Sequence, residues 1–199
     1  MMENKTIPLF GFPRSGNTFL RYSLREMYLD HKFIKSVHTE NFIEMHKNYE
    51  YIIMTIRKPE ESVSSWTQYC YEVEKILHGE DFPAQHTTPE SNLKYYIRYH
   101  EKIMENIKNV IVLDFYKFTE DFSYAIEKIK KHIGIEPSMI VDKKDIFSTI
   151  FEKEGDMYTP RDNKQELLYI KNKVILDPFL EKANDIYKSI ISISESQDQ

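Results

Sequence analysis

Short apolar runs recur along the chain, separated by stretches with a longer hydrophobic period. The first run lies within residues 5–12 and reaches a glycine at its end. Runs of about four to eight apolar residues bounded by Gly or Pro are typical of buried strands. Similar runs over residues 32–37, 51–56 and 110–115 predict further strands, and the run over 51–56 is rich in β-branched residues.

Between these runs, apolar residues return every three or four positions, which is the period of an amphipathic helix. This pattern predicts helices over residues 19–28, 63–77, 93–107, 122–133 and 174–191. Strands that alternate with helices favour parallel pairing with helices on both faces of one sheet.

We therefore expect a single α/β domain over residues 1–199, a parallel sheet in a three-layer α/β/α arrangement. Residues 5–135 would form its core and residues 136–191 a helical C-terminal part. Residues 192–199 are mostly polar, which predicts a frayed tail.

Composition narrows the class of protein. The 199 residues carry a net charge of −5, whereas a general nucleic-acid binder is usually basic. The one cysteine, Cys70, has no internal partner, which favours a reducing compartment. No apolar run approaches the ~18–20 residues that cross a bilayer, and the N-terminus lacks the apolar centre of a signal peptide. We expect a soluble cytoplasmic protein.

The segment between the first predicted strand and helix carries the clearest motif. Residues 11–18 read GFPRSGNT, with the glycines and final hydroxyl of a phosphate-binding loop, G-x-x-x-x-G-x-T. Such a loop points successive N–H groups at one anion, and the following helix adds its positive end. A triphosphate loop has Lys before the Thr, but here Asn17 stands there and the cation is Arg14. An anion of lower charge, bound without Mg²⁺, fits better, although an ordinary glycine turn stays possible.

Residues 13–19, PRSGNTF, resemble the 5′-phosphosulfate loop of sulfotransferases that use 3′-phosphoadenosine-5′-phosphosulfate (PAPS), P-[KR]-S-G-T-T-[WFL]. The resemblance implies a P-loop-like fold in which residues 5–135 are the nucleotide-binding core. It implies that Arg14 contacts the bridging oxygen of the phosphosulfate and that Phe19 packs on the adenine. It also implies 5′-phosphate binding by four residues, Ser15, Gly16, Asn17 and Thr18.

A second segment follows the strand over residues 51–56. It reads Arg57-Lys58-Pro59, and Ser65 lies eight residues after the arginine. An arginine at a strand end offers a planar fork to a phosphate, and a serine in the next helix adds a hydroxyl. The same sulfotransferases have Arg-x-Pro and Ser at this spacing, so the resemblance implies that Arg57 and Ser65 bind the 3′-phosphate.

The catalytic base is expected after the second strand. Cytosolic sulfotransferases carry their histidine in a Lys-x-His segment there, and the looser counterpart here ends at His38, with Glu40 or Glu44 as the alternative. An imidazole, with an ordinary pKa near ~6.5, suits a general base at neutral pH. The family's C-terminal Arg-Lys-Gly clamp on the 3′-phosphate has no clear counterpart, and Arg161 is the candidate to replace it.

These residues predict a sulfotransferase that moves a sulfuryl group from PAPS to a hydroxyl or amine and releases PAP, without a metal. His38 follows Arg14 by only 24 positions, which indicates either an open site or one that another subunit or a macromolecular acceptor completes. One alternative is a P-loop kinase acting on a small molecule or nucleotide. Another is a non-catalytic nucleotide-binding homologue that keeps the loop and has lost the base.

Overall fold

The strands form one fully parallel sheet. The computed structural model describes residues 5–35, 44, 46, 48–78, 87–105, 107–154 and 164–198. In this part of the chain the strands are β1 (Thr6–Gly11), β2 (Lys32–Lys35), β3 (Ile52–Ile56) and β4 (Val110–Asp114). Their order in the sheet is β2-β1-β3-β4, and all three pairings are parallel. The predicted parallel α/β sheet is confirmed.

The helices of the described residues cover both faces of this sheet. They are α1 (Asn17–Met27), α2 (Pro59–His78), α3 (Pro89–Met104), α4 (Phe115–Glu120), α5 (Ser123–Ile133), α6 (Lys143–Glu154), α7 (Lys164–Ile175) and α8 (Phe179–Gln197), with a 3₁₀ turn at Ile107–Asn109. Helix α3 begins with a capping box, in which the Thr88 hydroxyl accepts from the Ser91 N–H and the Ser91 hydroxyl accepts from the Thr88 N–H.

Alternate residues of each buried strand face two separate cores. Phe10, Met54 and Val112 belong to the core that includes residues of α3, α7 and α8. Leu9 and Ile53 belong to the core on the other face, with residues of α1, α5 and α6. Every residue of β3 and β4 is buried, which explains why these strands appear in the sequence as continuous apolar runs.

The predicted helix over residues 174–191 is wrong at its start. In the structure two helices occupy this region: α7 ends at Ile175, and α8 begins at Phe179, after Pro178. A proline inside a helix removes one N–H and clashes with the preceding turn, so the chain breaks here. The Asp177 carboxylate accepts the N–H of Phe179, the first residue of the new helix, at 2.9 Å and so satisfies one donor that has no intrahelical acceptor.

The structure also corrects the predicted frayed tail over residues 192–199, as far as residue 198, where the described residues end. Helix α8 continues to Gln197, and Ser194 is buried. The Lys128 ammonium on α5 donates to the Ser194 hydroxyl at 2.6 Å and lies 2.8 Å from an Asp198 carboxylate oxygen. Burial raises the pKa of Asp198, but the hydrogen bonds from His132 and Lys128 outweigh it and lower that pKa. Partners on a distant helix therefore fix a terminus whose own residues are polar.

The sheet has a topological switch point at the carboxyl ends of β1 and β3. From β1 the chain moves outward to β2 on one side, and β3 then pairs with the other side of β1. Ligands of open α/β sheets bind in the crevice at such a point. Among the helices of the described residues, none is long and apolar enough to span a membrane.

Candidate anion-binding site

The loop after β1 has the backbone of an anion cradle. Arg14 and Gly16 both adopt left-handed conformations, with φ of 64° and 84°. The Ser15 N–H donates to the Phe12 carbonyl at 3.3 Å, and α1 then begins at Asn17. The first N–H groups of a helix have no intrahelical acceptor, so they are available to an anion at this end.

Ser15 lies at the centre of this loop with an unsatisfied hydroxyl. The residue is 0% exposed, and its Oγ has no hydrogen-bond partner among the described residues. A buried polar atom without a partner requires an explanation, and an anion bound in the loop is one. Thr18, which the sequence also predicts as a ligand of the 5′-phosphate, is half-buried in the first turn of α1.

Asn17 uses its side chain to close the loop. Its Nδ2 donates to the Gly11 and Phe12 carbonyls at 3.2 and 3.0 Å, and its Oδ1 accepts from the Thr55 hydroxyl at 2.5 Å. The amide is therefore engaged inside the protein, and the predicted contact with a phosphate falls to the backbone N–H of Asn17. Sequence reasoning missed Thr55. Its signal was a hydroxyl side chain in β3, whose other residues are apolar.

The two segments predicted to bind phosphates meet at the switch point. The Arg14 Nε donates to the Ser65 hydroxyl at 3.1 Å, and the Arg57 Nη1 donates to the Arg14 carbonyl at 3.1 Å. Parallel pairing of β1 with β3 explains this contact, because the loops that follow the two strands leave the same edge of the sheet. Two arginines and Ser65 thus converge from sequence positions about 50 residues apart.

Arg57 is held on several sides. Its guanidinium donates to one Glu61 carboxylate oxygen, from Nη2 at 2.9 Å and from Nε at 3.3 Å, and lies 4.4 Å above the Phe115 ring. Its carbonyl accepts from the Tyr96 hydroxyl at 3.0 Å. No pattern in the sequence pointed to Tyr96 or Phe115, because each reaches Arg57 only through tertiary packing.

Phe19, the predicted adenine contact, is covered by other aromatic rings. It is 8% exposed, and its ring stacks on that of Phe147 from α6 at 5.0 Å between centroids. Phe147 is itself 40% exposed. Sequence reasoning missed Phe147, and the adenine contact of Phe19 stays a prediction.

Three of the predicted site residues, His38, Glu40 and Arg161, lie outside the described residues, whereas Glu44 is described and exposed. A different histidine, His100, is buried under the loop with its Nδ1 2.8 Å from the Tyr96 carbonyl. Burial lowers the pKa of His100 to about 4, so its ring is neutral at pH 7. Among the described residues no cluster of three or more His, Cys, Asp or Glu side chains could hold a metal ion.

Replacing Gly16 with Ala is expected to destabilise the protein by about 2–4 kcal/mol, from left-handed strain and overpacking. A Cβ there would lie 2.8 Å from atoms of both the Phe115 and the Phe118 rings. Gly134 is the matched control, because it has a φ of 73° and nothing within 4 Å of its added Cβ. Denaturant unfolding should show a smaller loss for Gly134→Ala, and equal losses would rule out the clash.

Comparisons with known proteins find similarity to solved structures and none to family models or curated sequences. No known protein-family model matches the chain, and no curated protein matches its sequence. Among solved structures the chain is similar to mouse sulfotransferase SULT7A1 complexed with PAP. The two are 14% identical, with 97% of this chain and 85% of the mouse chain covered and a TM-score of 0.48.

Proposed function

We propose that this chain is a sulfotransferase that moves a sulfuryl group from PAPS to an acceptor hydroxyl or amine. One observation carries the proposal: the loop after β1 and the Arg57–Ser65 segment after β3 meet at the switch point, with Arg14 donating to Ser65 at 3.1 Å. A ligand with two separate phosphates on one nucleoside suits two adjoining anion-binding segments.

The contacts of Asn17 argue against a nucleoside triphosphate. A triphosphate loop reaches the β- and γ-phosphates with a lysine at this position, and its Mg²⁺ offsets further charge. Here the side chain is short, uncharged and bonded to Gly11, Phe12 and Thr55 within the protein. The positive charge comes from Arg14 and Arg57 instead, which suits a phosphosulfate and a separate monophosphate.

Each residue predicted to bind the nucleotide has a role in this proposal. The 5′-phosphate binds the N–H groups of residues 16–18 and the unsatisfied Ser15 hydroxyl. The 3′-phosphate binds Arg57 and Ser65, with Arg161 as a further predicted contact. The adenine packs on Phe19, beside Phe147, which the ligand would displace from its present stacking position.

Transfer is proposed to proceed in line. His38 takes the proton of the acceptor O–H or N–H, and the acceptor atom forms a bond to sulfur. The bond from sulfur to the bridging oxygen breaks, and its electron pair stays on the 5′-phosphate of PAP. Arg14 and the loop N–H groups stabilise the charge that develops on that oxygen.

Calorimetry with unreactive nucleotides tests the ligand. Adenosine 3′,5′-bisphosphate (PAP) is expected to bind about 10²-fold more tightly than AMP, because charge-assisted hydrogen bonds contribute ~1.5–3 kcal/mol each. It should also bind more tightly than ATP with Mg²⁺. The Arg57→Ala variant should lose the preference for PAP, and Arg25→Ala, an exposed arginine at the far end of α1, should keep it. Equal affinities of the wild type for PAP and AMP would overturn the proposal.

Transfer of labelled sulfate from PAPS tests catalysis separately. Phenols, sugars and amines are the acceptors to screen, since a base at His38 can deprotonate a hydroxyl or an amine. A protein that prefers PAP to AMP but transfers no sulfate to any of them would be the non-catalytic homologue.

A further inference from the structure

Glu61 places a negative charge between two cations at the proposed 3′-phosphate site. One of its carboxylate oxygens, Oε2, accepts both hydrogen bonds from Arg57, at 2.9 and 3.3 Å. Its other oxygen, Oε1, lies 3.9 Å from the Lys171 ammonium on α7. The side chains of Glu61 and Lys171 are 29% and 38% exposed, so both remain within reach of solvent.

This carboxylate is charged at neutral pH. Burial raises the pKa of Glu61, but hydrogen bonding to Arg57 and to the Tyr116 hydroxyl, with the charges of Arg57 and Lys171, outweighs burial and lowers it. A phosphate that approached Arg57 would meet this negative charge a few ångströms away. Like charges a few ångströms apart repel each other, and they do so more strongly near a protein surface than in bulk water.

We propose that Glu61 competes with the 3′-phosphate for Arg57 and turns toward Lys171 when the phosphate binds. The inference rests on the proposed function and names a residue that sets the affinity of the same site. The Nε and Nη2 of Arg57 form an edge that can donate two parallel hydrogen bonds to a phosphate, and Glu61 occupies both. Lys171 gives the displaced carboxylate a second partner, so its release from Arg57 leaves no unpaired charge.

The substitution Glu61→Gln tests the competition. Gln has the same length and an amide oxygen that can still accept from Arg57, but it has no charge. PAP should bind about tenfold more tightly to this variant, because ~1.4 kcal/mol of removed repulsion is a factor of ten. AMP, which lacks the 3′-phosphate, should bind within twofold of wild type. Glu61→Asp keeps the charge and should show no tightening.

Lys171→Gln tests the second position of the carboxylate. In the wild-type background it should weaken PAP binding about threefold, a change of the size expected for an exposed ion pair. In the Glu61→Gln background it should change PAP binding by less than 1.5-fold, since coupled residues are not additive. Lys75→Gln is the matched control, because Lys75 pairs with Glu166 between the same two helices at 3.2 Å and does not contact Arg57. It should leave PAP affinity unchanged.

The outcomes separate this inference from the proposed function. Weaker or unchanged PAP binding by Glu61→Gln would show that Glu61 only orients Arg57, and would overturn the competition. An equal effect of Lys171→Gln in both backgrounds would mean that Lys171 contacts the ligand directly, which also overturns it. A thermal melt shows whether the Glu61→Gln variant is folded. If it is not, the single Lys171→Gln variant decides, and tighter PAP binding by that variant would contradict the inference. The proposed function is tested separately: if the wild-type protein prefers PAP to AMP, that proposal stands whatever the Glu61 and Lys171 variants show.

Discussion

Replacing Arg14 with Ala is expected to lower the turnover of PAPS by about 10²–10³-fold, the usual effect of removing one donor that stabilises transition-state charge. The guanidinium lies in the anion loop and donates to Ser65, so it stands between the two proposed phosphate sites. The bridging oxygen gains charge as its bond to sulfur breaks, and a cation at that oxygen stabilises the transition state more than bound PAPS. Turnover should therefore fall much more than PAP affinity.

The backbone at Arg14 allows a control for stability. Its φ of 64° is strained for any residue except glycine, so Ala keeps the strain that Arg already has. Arg14→Gly removes that strain and should be as stable as wild type or slightly more stable, yet equally impaired in turnover. Arg25→Ala should retain full turnover. Turnover of Arg14→Ala within threefold of wild type would exclude Arg14 from the reaction.

The sequence was sufficient to predict the sheet and the two segments that meet at the candidate site. β3 and β4 are buried over their whole length, so their apolar runs are continuous and easy to detect. The anion loop was predictable because it is local, with Gly11, Gly16 and the following helix within a few positions of each other. Parallel pairing then accounts for the meeting of Arg14 with Arg57 and Ser65.

Residues that act across the fold could not be predicted in this way. Thr55, Glu61 and Tyr96 have ordinary positions in their strand or helices, and only tertiary contacts bring them to the loop or to Arg57. The same reason explains the wrong C-terminal prediction. The hydrophobic period around α7 and α8 did not reveal the break at Pro178, and the polar end of α8 is fixed by Lys128 from another helix.

Replacing His38 with Ala is expected to reduce turnover by about 10²–10⁴-fold, the usual contribution of a general base. PAP affinity should change little, because a base contacts the acceptor and not the nucleotide. His38 lies outside the described residues, and its position in the chain carries the prediction. It follows Lys35, the last residue of β2, by three positions, and β2 pairs with β1 in parallel. The carboxyl end of β2 therefore lies at the same edge of the sheet as the anion loop.

Carboxylates nearby provide the competing assignment. Glu40→Gln and Glu44→Gln remove a charge without changing side-chain length, so each tests one carboxylate as the base. If His38 is the base, both variants should keep turnover within threefold, and added imidazole should restore part of the activity of His38→Ala, since a free base can occupy the space of the missing ring. A loss confined to Glu40→Gln or Glu44→Gln, with His38→Ala active, would assign the proton to a carboxylate. That result would leave Arg14, Arg57 and Ser65 in their proposed roles, because nucleotide binding does not depend on which group removes the acceptor's proton.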